Sequence, residues 1–208
     1  MRILIADDHT LIREGLRKIL SEAFPFAEIT DVADSADLLK NALMHTWDII
    51  ISDISMPGYS GIEILKQIKE HAPLTPVLIL SMHAPEQYAV RSLRSGASGY
   101  LTKESAPFEL VKAVKQILSG RKYITSEVAE VLAGSIEDNN TQQPHTSLSD
   151  REFEVFKMIV MGQSISAIGE QLSLNVNTIS TYRSRIMEKM NMKTNADLVK
   201  YAILNSII

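Results

Sequence analysis

The chain contains no cysteine, which excludes disulfides and thiolate metal sites and fits a reducing compartment. It also lacks any long apolar run. No stretch approaches the roughly 20 residues needed to cross a bilayer, so no membrane association is expected. The first apolar segment, Ile3-Leu4-Ile5-Ala6, meets Asp7 and Asp8 at once and is too short for a signal peptide. A cytoplasmic location is the expectation. No internal repeat stands out, and the net charge of −4 is too small to mark a polycation.

What charge there is divides unevenly. Leu148 to Ile208 holds seven Lys/Arg against six Asp/Glu, and the remainder holds 14 against 19. The carboxyl-terminal positive charges cluster between Arg183 and Lys193. An acidic first part and a locally basic second part imply two domains with different partners, which 208 residues and 45 % hydrophobic content can support.

Asp53 is the most informative residue. It closes the branched-aliphatic run Trp47 to Ser52, which has the character of a buried strand, and Met56-Pro57-Gly58 follows shortly after. Ile3 to Ala6 is a strand of the same kind, ending in Asp7-Asp8. A lone Asp at a strand end is most often a cap or turn former. Here, however, Val77 to Leu80 ends in Ser81, and Gly99 to Thr102 ends in Lys103. Two acidic ends, a hydroxyl and a lysine thus close four strands. Carboxylates gathered together repel and resist ionisation unless a cation is present, and a hard divalent metal would leave one of them free as a nucleophile.

Helical signals separate the strands. Leu11-Ile12, Leu16 and Ile19-Leu20 recur at helical spacing, and Ala36 to Met44 repeats the pattern after a second strand, Ile29 to Ala33. Ser60 and Glu63 have capping-box spacing before Ile62 to His71. Pro85 to Ser95 ends at Gly96, and a helix opened by Ser105 and Pro107 ends at Gly120. Strand and helix alternate five times, which predicts a doubly wound, flavodoxin-like α/β domain with a five-stranded parallel sheet. For strand order 2-1-3-4-5 the reversal falls between the strands ending in Asp7-Asp8 and in Asp53, and ligands bind at such a reversal.

Tyr123 to Ile136 predicts a further short helix, and Glu137 to His145 is a polar, proline-punctuated linker. The last 61 residues are helical throughout. Ser149-Asp150-Arg151-Glu152 forms a capping box, Ser166 to Leu172 a short helix, Ser173-Leu174-Asn175 a turn, and Thr178 to Met190 a longer helix; Thr194-Asn195-Ala196-Asp197 caps the last one. That succession predicts a small all-α helix-turn-helix domain. The boundaries are 1–120, 121–147 for the linker helix and linker, and 148–208.

Residues 1–120 resemble the receiver domain of two-component response regulators, through Asp7-Asp8, Asp53 with Met56-Pro57-Gly58, Ser81, Tyr100 and Lys103. Leu148-Ser149-x-Arg151-Glu152 and Thr178-Ile179-x-x-Tyr182-x-x-x-Ile186-x-x-Lys189-Met190 are similar to the LuxR-type DNA-binding domain. The whole chain is therefore similar to the NarL/FixJ family. The resemblance implies a sensor histidine kinase as phosphoryl donor, Asp53 as phosphoacceptor, and Mg²⁺ held by Asp8, Asp53 and the Ser55 carbonyl, with Asp7 acting through water. It implies that Lys103 and Ser81 hold phosphoryl oxygens and that Tyr100 rotates inward as a switch. Glu104 stands where the family usually has proline. Ser55 and His83 occupy the positions that tune dephosphorylation. Homodimerisation on phosphorylation and binding to double-stranded DNA complete the expectation.

At 100° per residue, Ile179, Ile186 and Met190 share the core face of the Thr178 helix, with Arg183 at its border. Thr181, Ser184 and Glu188 lie opposite, flanked by Ser180 and Arg185. Thr181 and Ser184 are the expected base readers, and Arg183, Arg185 and Lys189 the expected phosphate contacts. Many relatives carry lysine at Ser180 and histidine at Tyr182. Short hydroxyls cannot make the bidentate guanine contact of arginine, so sequence choice is expected to lean on water and DNA shape. Two alternatives have specific objections or tests. A phosphohydrolase of haloacid-dehalogenase type needs an acid two residues after the nucleophile, where this chain has Ser55. A tail that binds protein instead of DNA would lack salt-dependent DNA retention.

Overall fold

The computed structural model describes residues 1–56, 59–137, 143–205 and 207–208. Pro57-Gly58 of the predicted motif and 138–142 of the predicted linker lie outside these. Two compact units emerge, Met1–Gly134 and Ser135–Ile208.

The first unit alternates β1 (Arg2–Ala6), α1 (Thr10–Ala23), β2 (Glu28–Val32), α2 (Ser35–Met44), β3 (Ile49–Asp53), α3 (Gly61–His71), β4 (Val77–Ser81), α4 (Pro85–Arg94), β5 (Gly99–Thr102) and α5 (Ala106–Leu118). The sheet is wholly parallel, in the order β2-β1-β3-β4-β5. β3 and β4 are buried at every position, as expected of strands covered on both faces. Ile3, Ile5, Ile49, Ile51, Leu78 and Leu80 form one core with Leu16 and Leu20 of α1 and Leu110 and Val114 of α5. Leu4, Ile50 and Ile79 alternate with them and are equally buried, so they serve the opposite face.

The expected linker Glu137–His145 has Glu137 in a helix and His145 in a 3-10 turn, and the helix expected from Thr178 begins at Val176. Two further local details that differ from the sequence reading lie beside the sheet. Ser60 sits at the N-cap of α3 without a side-chain cap bond, so the capping box with Glu63 does not form. That helix start is pressed instead against Ile54 through Gly61. The helix after α5, α6, spans Ser126–Glu137 rather than beginning at Tyr123. Tyr123 forms a bridge beside Gly99 at the β5 edge, donates its N–H to the Ser98 carbonyl at 2.9 Å, and buries its ring in the core.

The second unit contains a 3-10 turn (Pro144–Ser147), α7 (Asp150–Val160), α8 (Ile165–Gln171), α9 (Val176–Lys189) and α10 (Asn195–Leu204). The capping box predicted at Ser149–Glu152 forms, and the predicted cap at Thr194–Asp197 forms as a second such box. Phe153, Phe156, Ile168, Ile179, Ile186 and Leu198 make up the core. Ser173 takes φ 53° in the turn between α8 and α9, the left-handed conformation needed to reverse the chain in so few residues. α7 and α8 pack against α9 and hold it in place.

One buried cation carries a stability prediction. Lys157 on α7 is 3 % exposed, and burial lowers its ammonium pKa to about 8, with Glu154 pulling the other way. The unfolded chain keeps this proton up to the ordinary lysine value of 10.5, so stability rises between pH 8 and 10.5 and the penalty is full below pH 8. Lys157→Met should therefore stabilise this unit by roughly 3 kcal/mol at pH 7. Thermal melts at pH 7 and at about pH 9.5 check it: the gain should shrink at the higher pH. A gain that does not shrink would mean packing, not charge, decides.

Candidate functional site

β1 and β3 are neighbours whose following helices lie on opposite faces, so their carboxyl ends open onto the crevice at the reversal of strand order. Asp7 and Asp53 are 0 % and 1 % exposed there. Lys103, just beyond β5, reaches across with its Nζ 2.7 Å from Asp53 Oδ2 and 2.7 Å from Asp7 Oδ2. Burial alone would lower the Lys103 ammonium, but the bonds and attraction from the two carboxylates outweigh it and raise its pKa. Burial raises the Asp53 carboxyl, offset in part by Lys103 and by the Ser55 N–H, which donates to Asp53 Oδ1 at 3.1 Å.

Asp8 is partly exposed, and its Oδ1 lies 2.8 Å from His9 Nδ1. Sequence reasoning missed His9, whose only signal was adjacency to the acids. Asp7, Asp8, His9 and Asp53 each offer a ligand atom, all within 4.8 Å of one another. Asp7 Oδ2 is buried 2.7 Å from Lys103 Nζ, and Asp8 Oδ1 is buried 2.8 Å from His9 Nδ1. Carboxylate oxygens in this state suit a hard divalent cation, and the donor set fits such an ion.

Ser81 is buried at the end of β4, and its Oγ accepts the His83 N–H at 3.0 Å. Tyr100 is fully buried and already points inward. Its hydroxyl donates to the His83 carbonyl at 2.8 Å, and its side chain also bonds to Ser81. Burial pushes the phenol up to about 12, with the Ser81 bond working the other way. Tyr100 thus occupies the inward position expected of the switch residue.

On the second unit, α9 exposes Asn177, Ser180, Thr181, Ser184 and Arg185 while Ile179, Ile186 and Met190 are buried, the orientation the helical wheel predicts. The cations are not equivalent. Lys189 Nζ bonds to Glu152 Oε2 at 2.6 Å, across from α7. Burial would raise the Glu152 carboxyl, but Lys189 and Ser149 outweigh it and hold it below its ordinary value. Arg183 Nε donates to Asn195 Oδ1 at 2.9 Å. Lys189 and Arg183 therefore brace α9 against α7 and the start of α10. Thr181 and Ser184 donate their hydroxyls to the helix's own carbonyls, those of Asn177 and Ser180, at 2.9 and 3.1 Å.

A doubly wound sheet with three acids and a lysine at its reversal point, joined to a helix-turn-helix unit, defines a receiver-and-effector protein. Comparison with known proteins agrees on both halves. Residues 3–115 match the response regulator receiver domain, and residues 146–202 match the bacterial regulatory proteins of the luxR family. The response regulator UvrY of Escherichia coli K12 is 33 % identical over 208 residues, covering 100 % of this chain and 95 % of that protein. The oxygen regulatory protein NreC of Staphylococcus carnosus is 35 % identical over 215 residues, covering 100 % and 99 %. RcsB from Salmonella enterica serovar Typhimurium, solved bound to promoter rprA with phosphomimetic BeF3-, superposes with a TM-score of 0.67 at 28 % identity, covering 97 % of each chain. The chain belongs to the NarL/FixJ family of two-component response regulators, with a receiver domain and a LuxR-type DNA-binding domain. It belongs to a transcription-regulator family and not to a family of metabolic enzymes. Among the described residues no helix is long and apolar enough to cross a membrane.

Proposed function

We propose that Asp53 accepts a phosphoryl group from a sensor histidine kinase in the cytoplasm, and that the modified receiver dimerises and tightens binding of α9 to specific DNA. The observation that supports this most is the convergence of Asp7, Asp8, Asp53 and Lys103 at the reversal point of the sheet. An Asp53 oxygen attacks phosphorus, and the P–N bond of the donor phosphohistidine breaks with its electron pair leaving on the imidazole. Lys103, now bonded to Asp53 Oδ2, shifts to a phosphoryl oxygen while keeping Asp7 as its counter-ion. Ser81 turns its hydroxyl from Tyr100 toward another phosphoryl oxygen, which couples the site to β5. Asp8, Asp53 and the Ser55 carbonyl would hold Mg²⁺, with Asp7 behind them, and the ion when bound neutralises charge on the transferring group.

On the DNA side, Arg185 is the phosphate contact of first weight in our reading, since Arg183 and Lys189 already have partners. The functional division remains 1–120 as receiver, 121–147 as connection and 148–208 as effector. Light scattering and retention on duplex DNA, each with and without beryllofluoride and Mg²⁺, test the whole. Activation should raise the mass toward a dimer and tighten salt-dependent retention. Identical mass and retention in both states would reject it.

A further inference from the structure

The polar groups of α9 restrict what it can read. A hydroxyl donates only one hydrogen bond, and those of Thr181 and Ser184 are spent on helix carbonyls. In this arrangement both side chains turn lone pairs outward and offer acceptors, which suits the amino groups of adenine or cytosine. Reading guanine by its acceptor pair needs a long fork of donors. Arg183 and Lys189 are engaged with Asn195 and Glu152, and Arg185 lies two turns beyond the start of the helix.

The helix start presents different chemistry. Asn177 is exposed, and its backbone N–H is capped by Asn175 at 2.8 Å, but its side-chain amide has no partner among the described residues. Just before it, at the first residue of the helix and about 100° round its axis, Val176 is 45 % exposed, an apolar side chain between the polar Asn175 and Asn177. In helix-turn-helix proteins it is the amino-terminal residues of this helix that reach base edges. An asparagine amide matches adenine N6 and N7 in two bonds, and a branched aliphatic side chain matches the thymine methyl.

We infer that the amino-terminal half of α9 reads an A·T-rich step, with Asn177 on adenine and Val176 against a thymine methyl. This rests on the DNA-binding reading above. It adds two direct contacts where sequence reasoning expected hydroxyls and water.

Selection of bound duplexes from a random pool by the full chain, activated with beryllofluoride, tests it. The wild type should enrich A·T pairs at the centre of each half-site. Asn177→Ala should lose the preference for adenine at one position per half-site by roughly tenfold and leave the other positions unchanged. Replacing the thymines of the selected site with uracil should weaken the wild type several-fold, and Val176→Ala should be indifferent to that change. Half-sites rich in G·C, or an unchanged profile for Asn177→Ala, would overturn the inference. A wild type that selects no sequence at all would remove the DNA-binding reading and this inference with it.

Discussion

Asp53→Asn is expected to take up no phosphoryl group: after acetyl phosphate and Mg²⁺ its Phos-tag band should stay in place while the wild-type band shifts. The amide keeps the shape of the carboxylate and loses the nucleophilic charge. Asp7 and Asp8 cannot substitute for it. Asp7 is fully buried and ion-paired with Lys103 at 2.7 Å, and Asp8 sits beside His9 on the partly exposed side of the pocket. Removing one of two carboxylates from a single lysine also leaves Lys103 and Asp7 as a balanced pair, so the melting temperature should not fall. That separates a lost acceptor from a lost fold. The expected effect on DNA retention is equally large, because a receiver that cannot be modified should stay in its resting affinity whatever donor is supplied. A shifted band persisting in Asp53→Asn would move the acceptor to another residue.

The parts of this site that were legible in the sequence were those set by strand ends. Asp7, Asp53 and Ser81 each close or follow a run of branched aliphatic residues, Lys103 follows the short strand Gly99–Thr102, and a parallel sheet places such ends on one edge. The partners across the edge were not legible. Lys103 binds Asp7 and Asp53 alike and leaves Asp8 to His9, a choice made by the depth of each side chain and not by spacing. Ser60 and Glu63 carry the capping spacing without the bond, because the close approach of Gly61 to Ile54 sets that turn. On α9 the wheel predicted directions correctly but could not assign partners. Lys189 finds Glu152 at a separation of 37 residues, and Arg183 finds Asn195 at 12. The occupied hydroxyls of Thr181 and Ser184 could have been anticipated, since serine and threonine within helices commonly bond the carbonyl four residues back. The inward Tyr100 could not, because a rotamer leaves no trace in composition or period.

Gly61→Ala should damage the receiver more than its single methyl group suggests. A Cβ on Gly61 would lie 2.5 Å from the Ile54 carbonyl oxygen, 2.7 Å from Ile54 Cα and 2.9 Å from the Ile54 carbonyl carbon. All three are backbone atoms of the residue next to Asp53, so no side chain can swing away. Ile54 is pinned as well. Its N–H donates to the Leu80 carbonyl at 3.0 Å, and the following Ser55 N–H holds Asp53 at 3.1 Å. Relief therefore requires either α3 to lift from the sheet or the segment carrying Asp53 to move. Overpacking of this kind costs about 3 kcal/mol when neighbours cannot yield. For a unit of this size that corresponds to a fall of roughly 10 °C in its melting temperature. Phosphorylation of Asp53 should slow along with it, since the loop that positions the carboxylate bears the displacement. Gly15→Ala provides the contrast: nothing lies within 4 Å of its added methyl in α1, so the same change should stabilise by up to about 1 kcal/mol through helix propensity. Calorimetry of both variants and acetyl phosphate uptake by each decide the matter. A Gly61→Ala protein that melts and phosphorylates like the wild type would show that α3 can lift freely, and that its start does not fix the position of Asp53.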